Sequence, residues 1–151
     1  MRNSLLISSF CLLLFVSCSS TKSSAGYSAQ TLFDTNNVSK YRVIIKTEQA
    51  EISGIMLVKF VDNEWRGSLI NEFGVKAFDF VASQGKCKLK NTISFLNKWY
   101  IRKTVEDDFA FLLWNAEKQV KGKSLEQLSD GKFVLKNEKR NIEYLFNCIE
   151  Q

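Results

Sequence analysis

Three consecutive acidic residues, Glu106, Asp107 and Asp108, form the densest group of side chains that could perform acid–base chemistry. Paired carboxylates can act as a general acid and a general base. These three fall within a predicted helix, where sequence neighbours point in different directions, so a solvated polar face is expected instead. The chain has no histidine to activate a serine, and it contains neither a G-x-S-x-G elbow nor a glycine-rich phosphate loop. The sequence therefore predicts a protein that is not an enzyme.

Cys87 and Cys148 are the two cysteines that lie beyond residue 18. Outside the cytoplasm such a pair can form a disulfide bond, and two separate buried thiols are the alternative. Two thiols without histidine supply too few ligands for a metal ion. No metal site and no cofactor are predicted.

The chain carries a mild positive charge, with a formal net charge of +5. Its basic residues are spread along the sequence, with small clusters at Lys86, Lys88 and Lys90 and at Lys136, Lys139 and Arg140. A solvated face accounts for such clusters, and attraction to anionic lipid headgroups is the alternative. A nucleic-acid partner is not expected.

Alternating apolar and polar residues after residue 40 predict β-strands separated by short polar turns. The pattern is clearest over residues 86–90, where Cys87 and Leu89 share one face and lysines the other, typical of an antiparallel sheet with one solvated side. Gly54 predicts a bulge or a bend within a strand. The predicted strands cover residues 41–46, 52–60, 64–71, 75–81, 86–90, 132–136 and 141–149.

Helical spacing of apolar residues begins after a plausible cap at Asn91-Thr92 and continues to about Trp114. A break near Thr104 would give one long or two short helices, and turn-like stretches follow around Gly122 and Asp130-Gly131. Short links favour antiparallel neighbours, and the helical stripe must be buried on the sheet. The predicted fold is α+β and mostly β: a curved antiparallel sheet or unclosed β-barrel with a helical segment packed in its mouth.

Aromatic residues are concentrated between residues 73 and 114. They would fill an ordinary core, or some of them would line an apolar pocket between sheet and helix. The candidate pocket residues are Phe78, Phe80, Leu96, Trp99, Tyr100, Phe109 and Leu113.

The first eighteen residues have the layout of a secretory signal: Arg2 is followed by about a dozen mostly apolar residues. This run is shorter than the roughly 20 residues that a membrane-spanning helix needs. It ends in Phe15-Val16-Ser17-Cys18, which resembles the lipobox of bacterial lipoproteins. The resemblance implies cleavage before Cys18 and attachment of acyl chains, such as palmitate, to Cys18; a cleaved signal with an incidental cysteine is the alternative.

These features predict three parts: a signal peptide (residues 1–17), the lipidated cysteine with a flexible tether (18–30) and a single β-rich domain (31–151). Two or three acyl chains would hold the domain on a bilayer without a spanning helix. Serine rather than aspartate at position 19 resembles the sorting pattern for the outer membrane. The expected location is an outer-membrane lipid anchor, facing the periplasm.

Residues 52–59 and 65–80, which include Trp65-Arg66-Gly67-Ser68 and Asn71-Glu72-Phe73-Gly74, resemble a strand meander of the LolA/LolB family of outer-membrane lipoprotein carriers and receptors. The resemblance implies an unclosed β-barrel capped by helices, with an apolar cavity that holds acyl chains. The expected function is therefore a non-catalytic envelope lipoprotein that binds acyl chains or lipoproteins. The alternative is a structural or accessory lipoprotein that binds an envelope protein through its sheet edge or aromatic turn.

Overall fold

A single antiparallel sheet of eight strands dominates the computed structural model, which describes residues 27–150. The predicted signal peptide, Cys18 and the tether up to residue 26 lie outside the described residues. Along the chain the structure contains a short helix α1 (Ala29–Leu32), strands β1 (Ser39–Lys46), β2 (Glu51–Val61), β3 (Glu64–Asn71), β4 (Lys76–Ser83) and β5 (Lys86–Lys90), a 3₁₀ helix (Ser94–Asn97), helix α2 (Trp99–Ala110) with a π-helical turn (Phe111–Asn115), and strands β6 (Lys123–Ser129), β7 (Lys132–Asn137) and β8 (Ile142–Glu150).

The strand order is β5-β4-β3-β2-β1-β8-β7-β6, so the chain starts in the middle of the sheet and builds outwards on both sides. Tight turns connect most neighbours; Asp62 and Asn63 both have positive φ between β2 and β3, as a two-residue hairpin turn requires. Helix α2 packs against the sheet, where Phe109 contacts Phe78 on one half and Tyr144 on the other. This arrangement confirms the predicted α+β fold class, with an unclosed, mostly β sheet and a helix packed against it.

Several details differ from the sequence-based expectations. Strand β6 was not predicted, because it is an edge strand paired only with β7 and most of its side chains are exposed. The predicted break near Thr104 is wrong, since α2 runs through that residue; the chain is extended instead at Lys98, where the 3₁₀ helix ends. The cap at Asn91-Thr92 is wrong for the same reason: α2 begins at Trp99.

Gly54 causes no register shift in its strand, so the predicted bulge is wrong. A side chain at this position would meet the backbone carbonyl of Ile70 on the neighbouring strand. The glycine is needed because two backbones approach closely, which is the other common role of glycine within a strand.

The N-terminal end of the described chain packs into the core earlier than the predicted domain boundary at residue 31. Ala29, which falls in the predicted tether, is buried, and the hydroxyl of Tyr41 donates a hydrogen bond to the carbonyl of Leu32. No helix among the described residues is long and apolar enough to cross a membrane.

The two ends of the sheet carry different features. One, here called the Tyr27 end, holds the β2–β3 and β4–β5 turns, and Ser28 lies there beside Phe60 and Trp65. The other, here called the Phe73 end, holds the β3–β4 and β7–β8 turns and the beginning of α2. Helix α2 runs antiparallel to β5, since Arg102 donates to the Leu89 carbonyl near one end of that strand and Asn115 reaches Gly85 at the other.

Candidate functional site

The seven predicted pocket residues do not lie together. Phe78, Phe80, Phe109 and Leu113 are fully buried, and the first three pack ring against ring with centroids 5.1–6.5 Å apart. Leu96 is partly buried against this cluster. Trp99 and Tyr100, in contrast, are exposed at the surface, with 77% and 46% of their areas accessible.

A group of exposed aromatic residues at the Phe73 end of the sheet is the most conspicuous surface feature. Phe73 is 90% exposed and Phe95 is 55% exposed, and both lie at the same end of the sheet as Trp99 and Tyr100. We call these four residues the aromatic rim. Singly exposed apolar side chains are ordinary, but several large ones at one end of a domain indicate a binding surface.

Phe73 is held outwards by the β3–β4 turn itself. The side-chain oxygen of Asn71 accepts hydrogen bonds from the backbone amides of Phe73 and Val75, at 3.0 and 2.8 Å. Gly74 adopts a φ of +77°, which closes the turn without strain. Because the turn is satisfied by its own polar groups, the Phe73 ring is not needed for its stability.

The rest of the rim reaches the same end of the sheet through the segment after β5. The amide of Ile93 donates to the carbonyl of Ala77, which draws this segment back beside the start of β4. Phe95 follows in the 3₁₀ helix, and Trp99 and Tyr100 form the first turn of α2, where their rings meet edge to face at 6.0 Å. The sequence predicted Trp99 and Tyr100 as pocket residues, and it offered the aromatic turn that carries Phe73 only as a docking feature of the alternative function. Phe95 was not among the candidate binding residues.

Among the three consecutive acidic residues 106–108, Asp108 is the most deeply buried. It is 0% exposed and accepts hydrogen bonds from Asn137 and Tyr144, each at 2.8 Å. It also forms an ion pair with Lys123 at 2.7 Å. Burial first, and then the Asp108 charge, raise the pKa of Tyr144 well above its ordinary value. Because Lys123, Asn137 and Tyr144 all donate to Asp108, the network ties α2 to β6, β7 and β8.

The expected solvated acidic face is therefore wrong for two of its three residues. Glu106 is also mostly buried and accepts hydrogen bonds from the Leu89 amide at 3.0 Å and from Arg102 at 3.2 Å. Burial alone would raise the pKa of Glu106, but these hydrogen bonds and the charge of Lys88 lower it below its ordinary value. Only Asp107, which pairs with Lys103 at 3.5 Å, is exposed as expected.

The two described cysteines are both free thiols in the structure, on β5 and β8, with four strands between them in the sheet. The structure does not bring them together as the possible disulfide would require, and it agrees with the alternative of two separate thiols. Burial raises the pKa of Cys87 to about 12, so its thiol is protonated and a poor nucleophile at neutral pH.

Residues 27–150 contain no group of three or more histidine, cysteine, aspartate or glutamate side chains that could hold a metal ion. The geometry thus defines a β-rich domain with a packed interior and its distinctive groups on one end of its surface. A scan against protein-family models matches none, and a search of curated proteins finds no significant similarity. The resemblance to the LolA/LolB family stays a prediction.

Proposed function

We propose that this chain is a non-catalytic lipoprotein of the cell envelope, anchored through Cys18, whose domain binds acyl chains or lipoproteins. The observation that carries the proposal is the aromatic rim, above all the nearly complete exposure of Phe73. Fully burying one such side chain contributes about 1.5–3 kcal/mol. Several rim residues together would therefore support useful affinity for an apolar ligand.

The position of the binding surface follows from where the aromatic residues lie. The four buried candidates, Phe78, Phe80, Phe109 and Leu113, already satisfy one another within the core. The rim residues are exposed instead, and Trp99 and Tyr100 combine rings with polar tips, the residue types that accumulate where apolar and aqueous phases meet. Acyl chains would accordingly be met at the rim and not within the sheet–helix interface.

The second candidate is an accessory lipoprotein that docks a protein partner through the same rim. It is favoured by the separation of the two ends of the sheet, since the described chain begins at the Tyr27 end, opposite the rim. Eight residues lie between Cys18 and Tyr27, and a fully extended chain would span about 30 Å from one to the other. A domain anchored there can present the rim away from its own membrane, towards a partner.

A site-specific photocrosslink distinguishes the two candidates. The photoreactive residue p-benzoylphenylalanine replaces Phe73 in the full chain, which is expressed in its native envelope, irradiated and purified for mass spectrometry. The expected adduct at position 73 is a lipid or an acylated lipoprotein joined through an acyl chain. The matched control carries the same residue at Leu128, which is half exposed near the Tyr27 end.

The outcomes separate cleanly. Acyl adducts at position 73 that are absent or much weaker at position 128 support the proposal. A single stoichiometric protein adduct without acyl chains supports the accessory lipoprotein instead. Equal labelling at the two positions overturns both, because the rim would then be no more than ordinary exposed surface.

A further inference from the structure

A cleft of about 250 Å³ lies beside the rim at the same end of the molecule. One wall is the first part of α2, from Trp99 to Asp107, and the other is formed by residues 120–123 and the β7–β8 turn. Five basic side chains line it, against the single exposed carboxylate of Asp107: Lys103, Lys121, Lys123, Lys139 and Arg140. We call this feature the basic cleft.

Two of these five charges are already neutralised within the protein. Lys103 pairs with Asp107 at 3.5 Å, and Lys123 pairs with the buried Asp108 at 2.7 Å. The other three basic residues of the cleft are exposed and have no carboxylate within 4.0 Å among the described residues; they are Lys121, Lys139 and Arg140. Three like charges held near one another repel, so the cleft gains most from an anion that carries more than one negative charge.

The backbone fixes the two segments that carry these charges. The amide of Glu138 donates to the carbonyl of Gly122 at 2.9 Å, which joins the strand-β6 entry to the β7–β8 turn. Gly122 has a φ of +83°, and a side chain there would meet Cγ of Lys139 at 2.8 Å. The aliphatic part of the Lys139 side chain therefore packs on Gly122. This contact holds Lys139 close to the segment that carries Lys121.

A phosphate group matches this arrangement. It offers several anionic oxygens, which a guanidinium can bind in a bidentate manner and lysines can bind as point charges. The rim residues Trp99 and Tyr100 line the same cleft, so apolar and anionic recognition are adjacent. We propose that the basic cleft binds a phosphate group, that of a lipid headgroup, while the rim meets the attached acyl chains; this inference rests on the proposed function.

Calorimetric titration of the full chain, purified in a nonionic detergent, tests the inference with two probes. One is dihexanoylphosphatidic acid, which combines a phosphate with short acyl chains, and the other is inorganic phosphate. We expect the lipid to bind and the K121Q/K139Q/R140Q variant to bind it at least about tenfold more weakly, since charged hydrogen bonds are lost. The matched control R42Q/K59Q/K86Q removes one arginine and two lysines that are equally exposed but outside the cleft, and it should retain affinity within about twofold.

Each result decides something. Equal affinity for the lipid and for inorganic phosphate keeps the phosphate site but overturns the lipid as its source. Equal weakening in the two triple variants overturns the inference, because the attraction would then come from overall charge alone. Absence of binding by both probes overturns it as well.

The proposed function fails or survives separately. Acyl adducts at position 73 in a protein that binds no phosphate would support the proposed function and overturn the inference that the basic cleft binds a phosphate group. Phosphate binding that depends on the cleft, in a protein whose position 73 captures no acyl chain, would overturn the proposed function and leave only the phosphate site of the inference standing.

Discussion

Replacing the buried Asp108 by asparagine should destabilise the fold far more than the same change at its neighbour. Asp108 accepts from three donors, at 2.7 Å from Lys123 and at 2.8 Å from Asn137 and Tyr144. The D108N variant keeps the shape but leaves the Lys123 ammonium, which is only 14% exposed, without its counter-charge. Breaking a buried ion pair from one side costs about 3–5 kcal/mol. For a domain of this size that lowers the melting temperature by roughly 10–20 °C.

Urea unfolding of the purified full chain, followed by tryptophan fluorescence, measures this loss because Trp65 is buried in the core. The D107N variant is the control, since Asp107 forms only an exposed pair with Lys103, and it should cost less than about 1 kcal/mol. Adding K123M to D108N should recover part of the loss, because the unpaired charge is removed. If D108N unfolds at the same urea concentration as D107N, the network does not stabilise the fold and the reasoning is wrong.

Three further predictions concern other parts of the core. Burial raises the pKa of Cys87 to about 12. The protonated Cys87 thiol therefore contributes fully to stability below the ordinary value of 9.0, and this contribution is lost as the pH rises towards 12. Iodoacetamide at pH 8 should label the half-buried Cys148 but not Cys87, as peptide mass spectrometry would show. Gly67→Ala should lower the free energy of unfolding by at least about 2 kcal/mol in urea titrations, because the added methyl would overlap a neighbouring backbone carbonyl and the Phe80 ring. The lowered pKa of Glu106 stabilises the fold above the ordinary value of 4.5 and loses that effect as the pH falls through the folded value; Glu106→Gln should therefore flatten the fall in melting temperature between pH 6 and pH 3, and an unchanged acid limb would contradict this.

The sheet was largely predictable because several of its strands alternate between buried and exposed residues. In β5, Cys87 and Leu89 are buried while the lysines on either side are exposed, as the alternation predicts. Strand β6 gave no such signal, since an edge strand that covers little core needs few apolar residues. Helix α2 was predictable as a helix, but its start at Trp99 depends on how residues 91–98 return to β4, which is a tertiary contact.

The division of the aromatic residues between core and surface could not be read from periodicity. Trp99 and Phe109 both lie on the helical stripe that spacing assigns to one face, yet one is exposed and the other is fully buried. The difference follows the burial along α2, whose first buried residue is Val105, so that the first turn with Trp99 lies outside the core. Sequence spacing defines a face of a helix, but the length of sheet that covers this face is fixed by the strands.

Lys123 belongs both to the buried network around Asp108 and to the lining of the basic cleft. Variants of this shared pair can therefore distinguish a role in stability from a role in binding. Asp108 neutralises Lys123 from the core side, so the charge offered to a ligand comes from Lys121, Lys139 and Arg140. The D108N variant would free a further positive charge at the base of the cleft while weakening the fold. Its folded fraction should therefore bind dihexanoylphosphatidic acid at least as tightly as the unaltered chain, whereas loss of cleft residues should weaken binding and leave stability almost unchanged. If D108N lowers the stability of the domain without weakening lipid binding, and loss of the cleft residues weakens lipid binding without lowering stability, the network supports the domain and the cleft binds the anion.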